Sequence, residues 1–134
     1  MTGELAEERI DVERIDVEIP ATERFLRVVR LIVTGYGSAF NITVDELDDL
    51  RIAADELVCA AVALSDRTRL RLSLTCVDGH VRLEGTTPFG SGEWSDPRFD
   101  LARQILSVVA PDHDVSCADG TVSIAFTSVA GVAA

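Results

Sequence analysis

Two Asp-Gly pairs constrain the fold of this chain more than any other feature. Asp78-Gly79 and Asp119-Gly120 each join two segments of alternating apolar and polar residues. A two-residue Asp-Gly loop suits the hairpin turn in which both central residues take positive φ. In the first hairpin Leu70, Leu72, Leu74 and Cys76 share one face, and Arg69, Arg71, Ser73 and Thr75 the other. Val81 and Leu83 return opposite Arg82 and Glu84. In the second, Val115 and Cys117 lead into the turn and Val122, Ile124 and Phe126 leave it. Period-two patterns with tight turns predict antiparallel pairing.

The remaining segments predict one further strand and three helices. Ile15, Val17 and Ile19 alternate with Asp16 and Glu18 in a pattern that starts at Ile10 and ends at Pro20. Thr22 is a candidate cap for a helix to about Tyr36, stopped by Gly35 and Gly37. Thr43-Val44-Asp45-Glu46 reads as a capping box opening a second helix to about Ala63. Residues 85–95 read as loop, and Asp96-Pro97 as the cap and first position of a third helix that stops before Pro111. The order β-α-α-β-β-α-β-β predicts an α+β fold. It is a two-layer sandwich, with a mostly antiparallel mixed sheet covered on one face by three helices. A single domain over 10–128 is expected, with flexible tails at 1–9 and 129–134.

Charge narrows function. The 12 basic residues are outnumbered by 23 acidic ones, leaving a net charge of −11. That balance argues against a duplex-binding surface and against docking on anionic lipid. All the basic residues are arginine, so the lysine chemistry of phosphate-binding loops and Schiff bases is excluded. Cys59, Cys76 and Cys117 show no metal-ligand spacing and are expected to be reduced core thiols. His80 and His113, beside turns, are expected to be exposed. No apolar run reaches membrane-spanning length and the acidic start is not that of a targeting peptide, so a cytoplasmic location is expected.

The second helix holds the unusual feature. Asp55 and Glu56 interrupt the apolar stretch IAADELVCAAVAL, and a buried carboxylate needs a partner or a purpose. From Ile19 to Val62 the chain resembles the anti-sigma-factor serine kinases of the GHKL ATPase superfamily, the RsbW-like proteins. The resemblance rests on a strand ending in Pro20-Ala21 and a first helix with Phe25 and Arg27. It rests also on Asp49-Leu50-Arg51-Ile52-Ala53 followed by Glu56. It implies a GHKL-like fold, a role in transcription regulation and the bacterial stress response, and sigma-factor or anti-anti-sigma (STAS) partners. It leaves a homodimer open.

The departures from the pattern matter equally. The family's motif glutamate helps activate the attacking hydroxyl, and an asparagine four residues on binds Mg²⁺; here Glu56 is followed by Ala60. The family's Asp-x-Gly after the third strand is replaced by Glu84-Gly85-Thr86, and its glycine-rich lid by Ser95-Asp96-Pro97-Arg98-Phe99. Two readings follow. The first is an anti-sigma-type regulator with a degenerate nucleotide site and no cofactor or metal, whose partner surface is a basic stripe on the first helix, Arg24, Arg27 and Arg30. The alternative is an active serine kinase that uses ATP and Mg²⁺ and phosphorylates an anti-anti-sigma protein, with Glu56 catalytic.

Overall fold

A computed structural model describes residues 13–128. The expected tails, and residues 10–12 of the expected domain, lie outside the described residues. Strand β1 (Ile15–Ile19) leads through a short 3₁₀ turn (Glu23–Phe25) into helix α1 (Leu26–Ser38) and helix α2 (Val44–Leu64). Strands β2 (Leu70–Val77) and β3 (His80–Pro88) follow, then a 3₁₀ turn (Pro97–Phe99), helix α3 (Asp100–Val109), and strands β4 (Asp114–Ala118) and β5 (Thr121–Thr127). The sheet runs β1-β2-β3-β5-β4. Each of its pairings is antiparallel, the far end of the mostly antiparallel sheet expected.

Both hairpins form at the Asp-Gly pairs. Asp78 and Gly79 sit at φ 53° and 80°, Asp119 and Gly120 at 52° and 74°. These positive values twist each pair of strands back on itself, which fixes the register Cys76–Val81 and Cys117–Val122. That register turns Leu70, Leu72, Leu74, Val81, Leu83, Val122, Ile124 and Phe126 toward the helices, all buried. A one-residue slip would expose the whole set.

Helix α2 lies at the centre of the helical layer, between α1 and α3. Thr43 caps it as expected, its Oγ1 accepting from Glu46 N at 3.1 Å. Leu50, Ala53, Ala54, Leu57, Val58 and Ala61 recur at helical spacing and are buried. Truncating Leu57, which has no exposed surface, would cost about 2–5 kcal/mol through lost transfer energy and the cavity left behind.

Five local expectations are corrected. Thr22 precedes the 3₁₀ turn but its side chain makes no cap bond. Gly35 and Gly37 do not stop α1, which runs through both to Ser38. Gly37 is a packing device: a β-carbon there would meet Leu47 Cδ1 and Leu50 Cδ2 of α2 at 2.8 Å. Residues 85–88 are strand, because Gly85 leaves room for Leu72 and Ile124 in the core, and Pro88 lies beyond the last β2 pairing, Arg71–Thr86. The cysteines are free but not core: Cys59 and Cys117 are exposed and Cys76 is half-buried. His80 and His113 are half-buried, and each ring Nδ1 lies against a backbone carbonyl, Ser128 O at 2.9 Å and Ala110 O at 2.7 Å. Among the described residues no helix is long and apolar enough to cross a membrane.

Candidate functional site

With the sheet side of α2 buried, its flanks face the neighbouring helices. Glu56, Ala60 and Ala63 follow at spacings of four and three, so they form one ridge, with Cys59 beside it. They make one wall of a cleft of about 250 Å³; Arg98, Phe99, Leu101 and Ala102 make the other. The lining is apolar except for Glu56 and Arg98.

Glu56 is half-buried, and among the described residues no ion pair reaches it. Burial, and then the neighbouring charge of Asp55, hold its carboxyl above the ordinary carboxylate range. The Cys59 thiol is likewise raised, by burial first and then by the carboxylates of Glu56, Glu23 and Asp55.

The opposite wall is held by stacked rings and guanidinium groups. Arg98 lies over Phe99, 4.7 Å from the ring centre, and Phe99 packs at 5.2 Å against Trp94. Arg103 lies 5.5 Å over Trp94, donates to its carbonyl and pairs with Asp100. Gly92, at φ 97°, admits Arg98: a β-carbon there would sit 2.6 Å from Nη2. Asp96 caps the 3₁₀ turn by accepting from Arg98 N at 2.9 Å.

Glu56 thus stands on the cleft face of α2, with Ala60 one turn on and only 2% exposed. Glu84 is not near this cleft. It lies on the outer face of the sheet, 3.2 Å from Arg82 Nε. The strand runs on to Pro88, so the segment that follows it is Phe89-Gly90-Ser91, which carries no carboxylate. A larger hollow of about 620 Å³ lies on that outer face between β1, β2 and β3, but its charges pair with one another. Arg71 donates to Glu18 at 2.8 Å and Arg14 to Asp16 at 2.9 Å. The Ser73 hydroxyl and then Arg14 hold the Asp16 carboxyl below its ordinary value, and Arg71 does the same for Glu18.

The expected basic stripe is divided. Arg24 lies in the 3₁₀ turn and Arg27 on α1, both exposed, with no ion pair among the described residues. Arg30 is engaged: its Nε donates to both oxygens of Asp55 at 2.9 Å. Val28 and the 70% exposed Leu31 belong to the same exposed face. Their spacing of four residues from Arg24 and Arg27 is the signal that could have found them.

No family model matches the chain. A serine-protein kinase RsbW of Bacillus velezensis (strain DSM 23117 / BGSC 10A6 / LMG 26770 / FZB42) is 32% identical over 106 residues, which cover 78% of this chain and 64% of that protein. The chain is similar to this RsbW over 78% of its own length. The serine-protein kinase RsbW of Bacillus subtilis (strain 168) is 28% identical over 107 residues, 78% of this RsbW-like chain and 65% of the relative. The chain thus spans a little under two thirds of the length of these curated relatives. The crystal structure of the RsbU and RsbW domains of Rv1364c from Mycobacterium tuberculosis superposes with a TM-score of 0.69 at 17% identity. It covers 90% of this chain and 33% of that one, a likeness of fold.

Proposed function

We propose that this RsbW-like chain is a regulatory protein of anti-sigma type that acts in the cytoplasm by binding alone. It engages a sigma factor, an anti-anti-sigma protein or both, and transfers no phosphate. The observation that carries this reading is the buried Ala60 methyl on the cleft face of α2, where the family pattern has its Mg²⁺-binding asparagine. Mg²⁺ demands near-octahedral oxygen coordination, and a methyl offers none. The rest of the cleft supports the same conclusion. Its walls are alanines, Phe99 and Leu101; Glu84 is on the far side of the sheet; Arg98 and Phe99 stand in the lid region. This donor set does not fit a magnesium nucleotide.

In this reading α1 presents the docking face. Arg24 and Arg27 flank the exposed Val28 and Leu31, so the surface joins an apolar anchor to cations on a chain of net charge −11. Arginine suits interface carboxylates because its planar fork binds both oxygens. Arg30 supports the face from behind through Asp55.

Active serine kinase is the second reading, favoured by the retained Glu56 and by the names of the two relatives. Affinity capture from native lysate with mass spectrometry tests the proposal. A sigma factor or anti-anti-sigma protein should be recovered, and should be lost with Arg27→Glu. Transfer of labelled phosphate from Mg-ATP to the captured partner would establish the kinase instead.

A further inference from the structure

The cleft between α2 and α3 has features that the α1 docking face does not use. Its floor is small: Ala60, Ala63 and Ala102 leave room for an incoming side chain. Its rim is apolar and exposed at Leu101, 66% accessible. At one end Glu56 makes no ion pair among the described residues, while its neighbour Asp55 is already bound by Arg30. The guanidinium of Arg98 is at the other wall, stacked on Phe99.

We propose that this cleft docks a helical segment of a partner protein that presents an apolar side chain to the alanine floor and a lysine or arginine to Glu56. A groove between two helices accepts a third through apolar anchors at helical spacing. Charge complementarity identifies the occupant. A carboxylate at the edge of an apolar surface is stabilised by a cation brought in from outside, and the one guanidinium lining this cleft, Arg98, is stacked on Phe99 and makes no ion pair with Glu56. A second copy of this chain fits poorly: each copy carries a net charge of −11, so the copies repel. The proposal rests on the reading of the cleft as lacking a nucleotide, and it adds a second contact surface to the α1 face.

The test uses methyl-detected NMR on the full chain, following Ala60, Ala63 and Ala102 together with the Trp94 indole, which contacts Phe99. Four probes are added separately. They are a capped alanine-based helical peptide with Leu and Lys four residues apart, its Leu–Glu counterpart, n-hexylammonium, and Mg-ATP. The Leu–Lys peptide should shift these signals at a concentration at least about fivefold below either the Leu–Glu peptide or n-hexylammonium. Glu56→Gln should remove its advantage over the Leu–Glu peptide. Equal response to both peptides, or a preference that survives Glu56→Gln, overturns the proposal. So does n-hexylammonium acting at the same concentration as the Leu–Lys peptide, which would mark a small-molecule site. If Mg-ATP moves the same methyls and the peptides do not, both this proposal and the nucleotide-free reading fail. If Mg-ATP and the Leu–Lys peptide both move them, only the nucleotide-free reading fails.

Discussion

Arg30 of α1 donates from Nε to both carboxylate oxygens of Asp55 of α2, at 2.9 Å each, and Arg51 stands 3.9 Å from the same carboxylate. Two cations therefore converge on one acid, and the Arg30 pair ties α1 to the central helix. Asp55 is a quarter exposed, so the pair is screened less than an open surface bridge. Asp55→Ala is expected to lower stability by about 1 kcal/mol. Arg30→Ala should cost a similar amount, and the double variant less than the two combined. Urea midpoints with unchanged slopes would check this.

The same bond separates docking from folding among the arginines. Arg27→Glu should weaken a captured complex at least tenfold, about 1.4 kcal/mol, and leave Tm nearly unchanged. Arg30→Glu should lower Tm as well, because it sets a like charge against Asp55. Calorimetric titration beside thermal melts distinguishes the two; equal loss of Tm in both variants would make the whole stripe structural.

Glu56 gives a pH dependence of definite sign. Its folded pKa is raised, so the folded state holds the proton more tightly than the unfolded state. The ionised carboxylate then weakens the fold above its folded pKa, and the penalty disappears as pH falls toward and below the ordinary value of 4.5. Glu56→Gln should stabilise by about 0.5 kcal/mol at pH 7, about 2 °C in Tm, with the gain shrinking to nothing near pH 4. Asp16, Glu18 and Glu23 act in the opposite direction. Their lowered values give stability that is lost as pH falls through them, so the difference between variant and native protein is the quantity to follow.

The two glycines of α1 should respond in opposite ways to alanine. Gly37→Ala drives a methyl into Leu47 and Leu50 and is expected to cost about 1–3 kcal/mol. Gly35 has nothing within 4 Å of its would-be β-carbon, so Gly35→Ala should stabilise the helix by about 0.5–1 kcal/mol. Denaturant melts of both variants check the pair.

These glycines also show why part of the fold was legible in the sequence and part was not. Asp78-Gly79, Asp119-Gly120 and Thr43 act through their own backbone neighbourhood, so local chemistry alone predicted two hairpins and a helix start. Gly37 and Gly85 act through distant partners, Leu50 and Ile124, and so looked like breaks in a helix and a strand. Glu56 was legible because a carboxylate inside an apolar run is anomalous wherever it lands. The cleft was not, since its second wall comes from Arg98 to Ala102, far along the chain. Nor was the partner of Arg30, which is 25 residues away. The three cysteines were read as core on their residue type alone, whereas Cys59 and Cys117 lie on exposed faces.

The central claim is that the α2 face bearing Glu56 and Ala60 no longer serves a nucleotide. Isothermal titration of the full chain with millimolar ATP and Mg²⁺ tests it most directly. The account predicts no saturable heat, and none with Ala60→Asn either, because the third-strand carboxylate and the lid are also missing. Saturable binding with a micromolar Kd would contradict it.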